Sequence, residues 1–153
     1  MISYLKSLFI KKSVKKIAFL DGDQSLPLLI DVHSKHLKGV ETHLVRSRQA
    51  DQGEPRPLRK LNPEINKIYL SGYSPGKEVS DKFITGYIQK AISESYQEII
   101  VVSSDFDFID IFKMTLQLNP DKSGIKMKLI VPQGRGKILD YVPESSSIEI
   151  ELL

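Results

Sequence analysis

Cysteine and tryptophan are both absent from this chain of 153 residues. Without cysteine, the chain forms no disulfide bonds, zinc–thiolate sites or iron–sulfur clusters, and it has no cysteine nucleophile. Its apolar runs are far shorter than the ~20 residues that a membrane-spanning helix needs. A secretory signal is not expected, because the apolar stretch 4–10 contains Lys6 and no small-residue cleavage site follows it. With 41% hydrophobic and 27% charged residues, we expect a globular, cytoplasmic protein.

Positive charge is unevenly distributed along the chain. The first 16 residues contain five lysines and no acid, and the remaining 137 carry 17 basic and 19 acidic residues, a net charge of −2. The overall charge of +3 therefore reflects the N-terminal segment and does not by itself indicate nucleic-acid binding. We divide the chain into a basic segment over residues 1–15, interpreted as an extra helix packed on the domain, and one domain over residues 16–153. The alternative for the segment is a basic amphipathic helix for a membrane surface, a polyanion or a partner.

Short apolar runs alternate with amphipathic stretches from residue 16 onwards. The runs are typical of buried strands, and the stretches space their apolar residues as helices do. The predicted strands are Ile17–Leu20, Val40–Val45, Lys67–Leu70, Glu98–Val102, Lys126–Val131 and a short final one at Ser147–Leu152, with helices over 26–37, 79–92 and 108–116. This order predicts an α/β fold, a three-layer α/β/α sandwich around a central, mainly parallel sheet of about five strands.

Acidic residues follow the predicted strands at the ends where open parallel sheets bind ligands. Asp21 follows the first strand, Asp105 and Asp107 follow the fourth, and Asp81 lies early in the helix after the third. Any one of them alone fits a helix N-cap equally well. Together, two carboxylates ~5 Å apart repel by ~3 kcal/mol at an effective dielectric of ~20, unless a cation neutralises them. Oxygen ligands without histidine or cysteine predict Mg²⁺ or Mn²⁺ at this edge.

Three segments resemble the NYN domain family of the PIN-like nuclease superfamily. Residues 17–24 (IAFLDGDQ) are similar to its opening strand, residues 76–83 (GKEVSDKF) to its Lys-then-Asp helix start, and residues 99–108 (IIVVSSDFDF) to its Ser-x-Asp-x-x-Phe motif. Gly124 before the fifth strand and residues 139–142 after it fit the usual close of the domain. The resemblance implies a PIN-like fold and a metal-dependent endoribonuclease that binds RNA and hydrolyses its phosphodiester bonds.

The same resemblance implies roles for individual residues. Asp21, Asp81 and Asp105 correspond to the catalytic, metal-binding acids, and Asp107 is a fourth. Water activated at Mg²⁺ or Mn²⁺ would attack phosphorus in line. The residues assigned to substrate binding are Asp23, Gln24, Lys77, Ser103, Arg46 and Arg48. Gln24 is a departure from the family, many of whose members have asparagine there.

Two other functions remain open from the sequence. Residues 19–23 also resemble the start of haloacid-dehalogenase-type phosphatases, in which Asp21 would be the nucleophile and Asp23 the acid/base. That family continues with Gly-Thr, whereas Gln24 and Ser25 follow here. The second alternative is a non-catalytic RNA-binding or protein-binding module with the PIN-like fold. The class of RNA, the number of metal ions and assembly into a homo-oligomer are not determined by the sequence.

Overall fold

The structure, a computed structural model, describes residues 14–22, 24–47, 63–70, 79–122, 124–132 and 147–153. For Ser47, residues 67–70 and residues 79–81 it describes the backbone alone. Most of the basic N-terminal segment and most of the polar stretch between the second and third strands lie outside the described residues.

Six strands and three helices are found in the described residues. In chain order they are β1 (Lys16–Asp21), α1 (Leu26–His36), β2 (Glu41–Ser47), β3 (Ile65–Leu70), α2 (Val79–Ser93), β4 (Glu98–Val102), α3 (Asp107–Leu118), β5 (Lys126–Val131) and β6 (Ile148–Leu152). All strands pair in parallel, in the order β3-β2-β1-β4-β5-β6. The predicted α/β sandwich is confirmed. Among the described residues the sheet has six strands rather than about five, because β6 pairs with β5 along its whole length.

The sheet separates two apolar cores. Successive side chains of a strand point to opposite faces, so Phe19 and Val101 pack with α2 and α3, while Leu20 and Val102 pack with α1 on the other face. Strands buried on both faces are apolar at nearly every position, which explains the short apolar runs of the sequence. Among the described residues, none of the helices combines the length and the apolar character needed to span a bilayer.

The C-terminus of α2 is capped by backbone hydrogen bonds. The Tyr96 N–H donates to the Ala91 carbonyl and the Ser95 N–H donates to the Ile92 carbonyl, each with N and O 3.1 Å apart. This is the pattern of a Schellman motif, in which the residue at the Ser95 position is usually glycine. Ser95 has a φ of 66°. This backbone conformation lies in the left-handed region, where the Cβ atom of a residue other than glycine makes unfavourable contacts. After this turn, the Tyr96 hydroxyl donates to the Glu41 carboxylate of β2.

One face of β6, the last strand of the described sheet, carries charged side chains. Glu149 and Glu151 lie opposite Lys128 and Ile130 of β5. The Lys128 Nζ atom is 2.6 Å from Glu151 Oε2 and 3.9 Å from Glu149 Oε1. Burial lowers the pKa of Lys128. The hydrogen bond to Glu151 and the charges of the nearby glutamates together raise the pKa by more than burial lowers it, so the net shift is upward. The lysine therefore stays protonated between the two glutamates.

The free energy of unfolding is expected to fall as the pH drops below about 6.5, the ordinary pKa of histidine. His33 on α1 is 1% exposed, and burial lowers its pKa, opposed by the charge of Glu64. The unfolded chain therefore binds more protons in this range, so stability is lost as the pH falls through it. Urea denaturation between about pH 5 and pH 7.5 measures the effect. His33→Gln should flatten the profile, and His36→Gln, at the exposed end of α1, should not.

Ser95→Gly is expected to raise the free energy of unfolding by up to about 1 kcal/mol, because glycine adopts a positive φ without a Cβ clash. Ser93→Gly, in the last turn of α2, is the matched control and should lower it by about 0.5 kcal/mol through weaker helix propensity. Urea denaturation of both variants tests the difference. If both glycines destabilise the protein equally, the positive φ of Ser95 is not a source of strain.

Candidate functional site

The carboxyl ends of β1 and β4 lie side by side in the middle of the sheet. The helix that follows β1 packs on one face, and the helix that follows β4 packs on the other. Where neighbouring strands send their helices to opposite faces, a crevice opens between the loops, and ligands of open parallel sheets bind there. The acids predicted from the sequence at Asp21 and Asp105 follow these two strands.

Hydrogen bonds through one hydroxyl group join the two strand ends. Ser103 Oγ donates to Asp21 Oδ2 at 2.7 Å and accepts from the Asp105 N–H at 3.1 Å. Asp105 Oδ1 accepts from the N–H of Asp107, the first residue of α3, at 2.9 Å. Asp21 is 3% exposed and Ser103 is 0% exposed, whereas Asp105 is half-buried. The Ser103 hydroxyl therefore fixes the buried carboxylate relative to the start of α3.

The turn after β1 is pressed against β2. The Gly22 N–H donates to the Val45 carbonyl at 2.8 Å, and the Gln24 N–H donates to the Asp21 carbonyl at 3.1 Å. A Cβ atom at Gly22 would lie only 2.5 Å from the Val45 carbonyl oxygen. Arg46 Nη1 donates to the Gly22 carbonyl at 3.0 Å. A cationic side chain of β2 is thereby attached to the turn that carries Asp21.

The structure brings some of the predicted site residues together at this edge. Asp21, Ser103 and Asp105 are linked directly, and Gln24 and Arg46 belong to the adjoining turn. Asp107 contributes its N–H, and it is exposed. The side chain of Asp81 and the whole of Asp23, Arg48 and Lys77 lie outside the described residues. Sequence reasoning missed the structural role of Gly22, although a glycine directly after a strand-ending acid is a signal of close backbone approach.

The described residues do not contain a complete ligand set for a metal ion. Within the part of the chain that the structure describes, no group of three or more histidine, aspartate or glutamate side chains is placed to hold one. Asp21 and Asp105 offer carboxylate oxygens, the donor type that suits Mg²⁺ and Mn²⁺. Their chemistry fits a hard divalent cation. The metal site predicted from the sequence also includes Asp81, whose side chain lies outside the described residues.

Two cavities lie away from this edge. One, of about 650 Å³, is found at the amino ends of β1, β4 and β5, where Lys16, Glu98 and Lys126 contribute to its lining. The other, of about 270 Å³, lies between β1, β2 and α2. Neither cavity is lined by Asp21, Ser103 or Asp105, so both are separate from the acidic edge.

No family model and no curated protein matches the sequence. Solved structures with a similar fold include a protein of unknown function from Vibrio parahaemolyticus, 14% identical, with a TM-score of 0.55 over 94% of this chain and 95% of that one. Two short-chain dehydrogenase/reductase structures from Veillonella parvula, one in complex with NADP, are 12% identical, with TM-scores of 0.40 and 0.38. Those two matches cover 76% of this chain and 47% and 46% of the dehydrogenase chains. The first similarity supports the fold, and the other two carry no inference about activity.

Gly22→Ala is expected to lower the free energy of unfolding by about 1–3 kcal/mol, because the added methyl group meets backbone that has little room to move. Gly86→Ala on α2 is the matched control. The space around its Cβ is open, and alanine favours a helix, so it should stabilise the protein by about 0.5–1 kcal/mol. Urea denaturation measures both changes. A Gly22→Ala protein as stable as the native one would mean that the turn moves away from β2 at no cost.

Proposed function

We propose that the protein is a metal-dependent ribonuclease that hydrolyses RNA phosphodiester bonds at the carboxyl edge of β1 and β4. The observation that carries the proposal is the Ser103 hydroxyl, which links the buried Asp21 carboxylate to the Asp105 turn. Two acids from distant parts of the chain are thereby held at the edge where parallel sheets bind ligands. The NYN resemblance of the same residues supports the assignment.

Each residue at the edge has a proposed role. Asp21 and Asp105 would hold Mg²⁺ or Mn²⁺, with Asp81 and Asp107 completing the acidic set. A divalent cation supplies a bound water of lowered pKa and neutralises charge on the phosphate. Ser103 is a positioning residue, because its hydroxyl orients the Asp21 carboxylate. Arg46 brings positive charge to the adjoining turn, where it favours the RNA backbone.

Substrate contacts complete the proposal. Further contacts with RNA are assigned to Asp23, Gln24, Lys77 and Arg48. We place the enzyme in the cytoplasm, with RNA as its partner, and a homo-oligomer is compatible with this assignment.

The other candidate functions have less support. A phosphatase with Asp21 as its nucleophile has less support from the sequence, because Gln24 and Ser25 stand where that family continues with Gly-Thr. A non-catalytic binding module would have the same fold, so the cleavage assay below is what distinguishes it from a nuclease.

Asp105→Asn is expected to lower metal-dependent RNA cleavage by about 100-fold or more, because it removes a negative charge from the reacting edge. Asparagine keeps an oxygen that accepts from the Asp107 N–H, so α3 should begin as in the native protein. Asp31→Asn is the control, since it makes the same charge change on the exposed surface of α1, where Asp31 pairs with Lys35. The measurement is cleavage of end-labelled RNA with Mn²⁺ or Mg²⁺, and with chelator.

Thermal unfolding gives a second readout that does not depend on activity. Saturation with Mn²⁺ at about 100 times its Kd should stabilise the native protein by about 2.7 kcal/mol and stabilise Asp105→Asn much less. Equal cleavage by native and Asp105→Asn proteins would point to a contaminating nuclease and remove the proposal. RNA binding without cleavage would instead identify the non-catalytic module.

A further inference from the structure

The cavity of about 270 Å³ between β1, β2 and α2 has the composition of a small-molecule site. Its lining includes the rings of Phe19, His43, Tyr87 and Tyr96 and the carboxylates of Glu41 and Glu94. Ligand sites combine apolar and aromatic walls with a few polar groups, and those for drug-sized molecules have ~300–1,000 Å³. A cavity slightly below that range suits a smaller ring system.

The floor of the cavity is aromatic. Phe19 is 2% exposed, and the partly exposed rings of His43 and Tyr87 lie near it. The His43 centroid is 5.9 Å from that of Phe19 with an interplanar angle of 31°, and the Tyr87 centroid is 6.0 Å away at 20°. Aromatic faces at such spacings accept another planar ring by stacking.

Glu41 supplies an oriented carboxylate beside this floor. Its Oε2 accepts from the Tyr96 hydroxyl, and its Oε1 lies 3.6 Å from His43 Nε2. The hydrogen bond to Glu41, followed by burial, raises the pKa of Tyr96 to about 12, so the tyrosine donates at neutral pH. The Glu41 side chain is 43% exposed, and each carboxylate oxygen accepts more than one hydrogen bond. It therefore keeps acceptor capacity for a ligand.

The remaining charges at the cavity belong to α2, to the turn that follows it and to the chain before β1. Lys90 Nζ is 3.9 Å from Glu94 Oε1, so these two side chains offset each other. Lys15 Nζ lies 4.1 Å from the centroid of the Tyr96 ring and donates to the Glu94 carbonyl. Glu41 is thus the charged group that faces the aromatic floor from β2, and it selects a ligand with N–H donors.

We propose that this cavity binds a nucleobase, guanine in preference to the others, with the ring packed against the partly exposed rings of His43 and Tyr87 and its N–H groups donating to Glu41. Guanine carries two adjacent donors, N1–H and the 2-amino group, which match the two oxygens of one carboxylate. Adenine and uracil present an acceptor beside each donor on the same edge. The ligand is a free nucleoside or a base within an RNA strand, and the inference does not require the nuclease proposal.

The test is titration of guanosine into the full chain without metal, followed by ¹H–¹⁵N NMR. Shifts are expected at the start of β2 and around Tyr87 and Tyr96. Glu41→Gln keeps an acceptor for the Tyr96 hydroxyl but loses the charge, so guanosine should bind it at least about tenfold more weakly. Glu149→Gln, the same change on the outer strand β6, is the control and should bind guanosine as the native protein does. Adenosine and uridine should bind the native protein more weakly than guanosine.

Two further measurements, one on a Tyr87 variant and one with a short RNA, test the binding mode. Tyr87→Leu removes a ring while keeping an apolar side chain, and it should also weaken binding, with circular dichroism confirming the fold. A short guanine-containing RNA that shifts the same resonances more strongly than guanosine indicates a base within a strand, and a response to guanosine alone indicates a free nucleoside.

The inference is overturned if neither guanosine nor the RNA shifts the cavity resonances, or if Glu41→Gln binds guanosine as tightly as the native protein. Asp105→Asn should bind guanosine normally, because the cavity does not include that residue. Failure of this test therefore leaves the nuclease proposal standing, and failure of the cleavage assay leaves this one standing.

Discussion

A hydrogen bond between two buried side chains, Ser103 and Asp21, joins the carboxyl ends of the two central strands of this protein. An ionised carboxylate removed from water without compensation costs several kcal/mol, and Asp21 ends a strand that is otherwise packed among apolar residues. The Ser103 hydroxyl offsets part of that cost and ties β1 to the turn before α3. Because β1 and β4 are the central neighbours of the sheet, this bond fixes Asp21 and the Asp105 turn relative to each other at the acidic edge.

The sheet was largely predictable, because strands buried on both faces must be apolar at nearly every position. β1 and β4 show this pattern, and β5 shows it over its last three residues. The predicted bounds of all three lie within one residue of the observed ones. β3 begins at Ile65 rather than at Lys67, since Ile65 pairs with Thr42 and is buried in the core. Asn66 and Lys67 interrupt the apolar run, so the pattern alone missed this start. A pairing partner, rather than hydrophobicity, defines that end of the strand.

The residue types of the candidate site and the edge of the sheet on which they lie were predictable, but the contacts between them were not. The alternation of strands and helices placed Asp21 and Asp105 at one edge, and the Ser-x-Asp pattern drew attention to Ser103. The hydrogen bonds of that serine, and the contact of Arg46 with the Gly22 carbonyl, depend on atoms brought together by folding. The same holds for the Tyr96–Glu41 pair, whose members are 55 positions apart in the chain. Tertiary contacts of this kind leave no periodic signal in a single sequence.

The paired charges on β6 have a consequence for how the molecule behaves at high concentration. A strand at the margin of a sheet can recruit a strand from another molecule and so start a fibril. An incoming strand would have to lie beside Glu149 and Glu151, whose charges are arranged around Lys128 of β5, and an apolar newcomer would strip water from them at a cost. The charged face of β6 thus disfavours the addition of a strand from another molecule and the growth of a fibril.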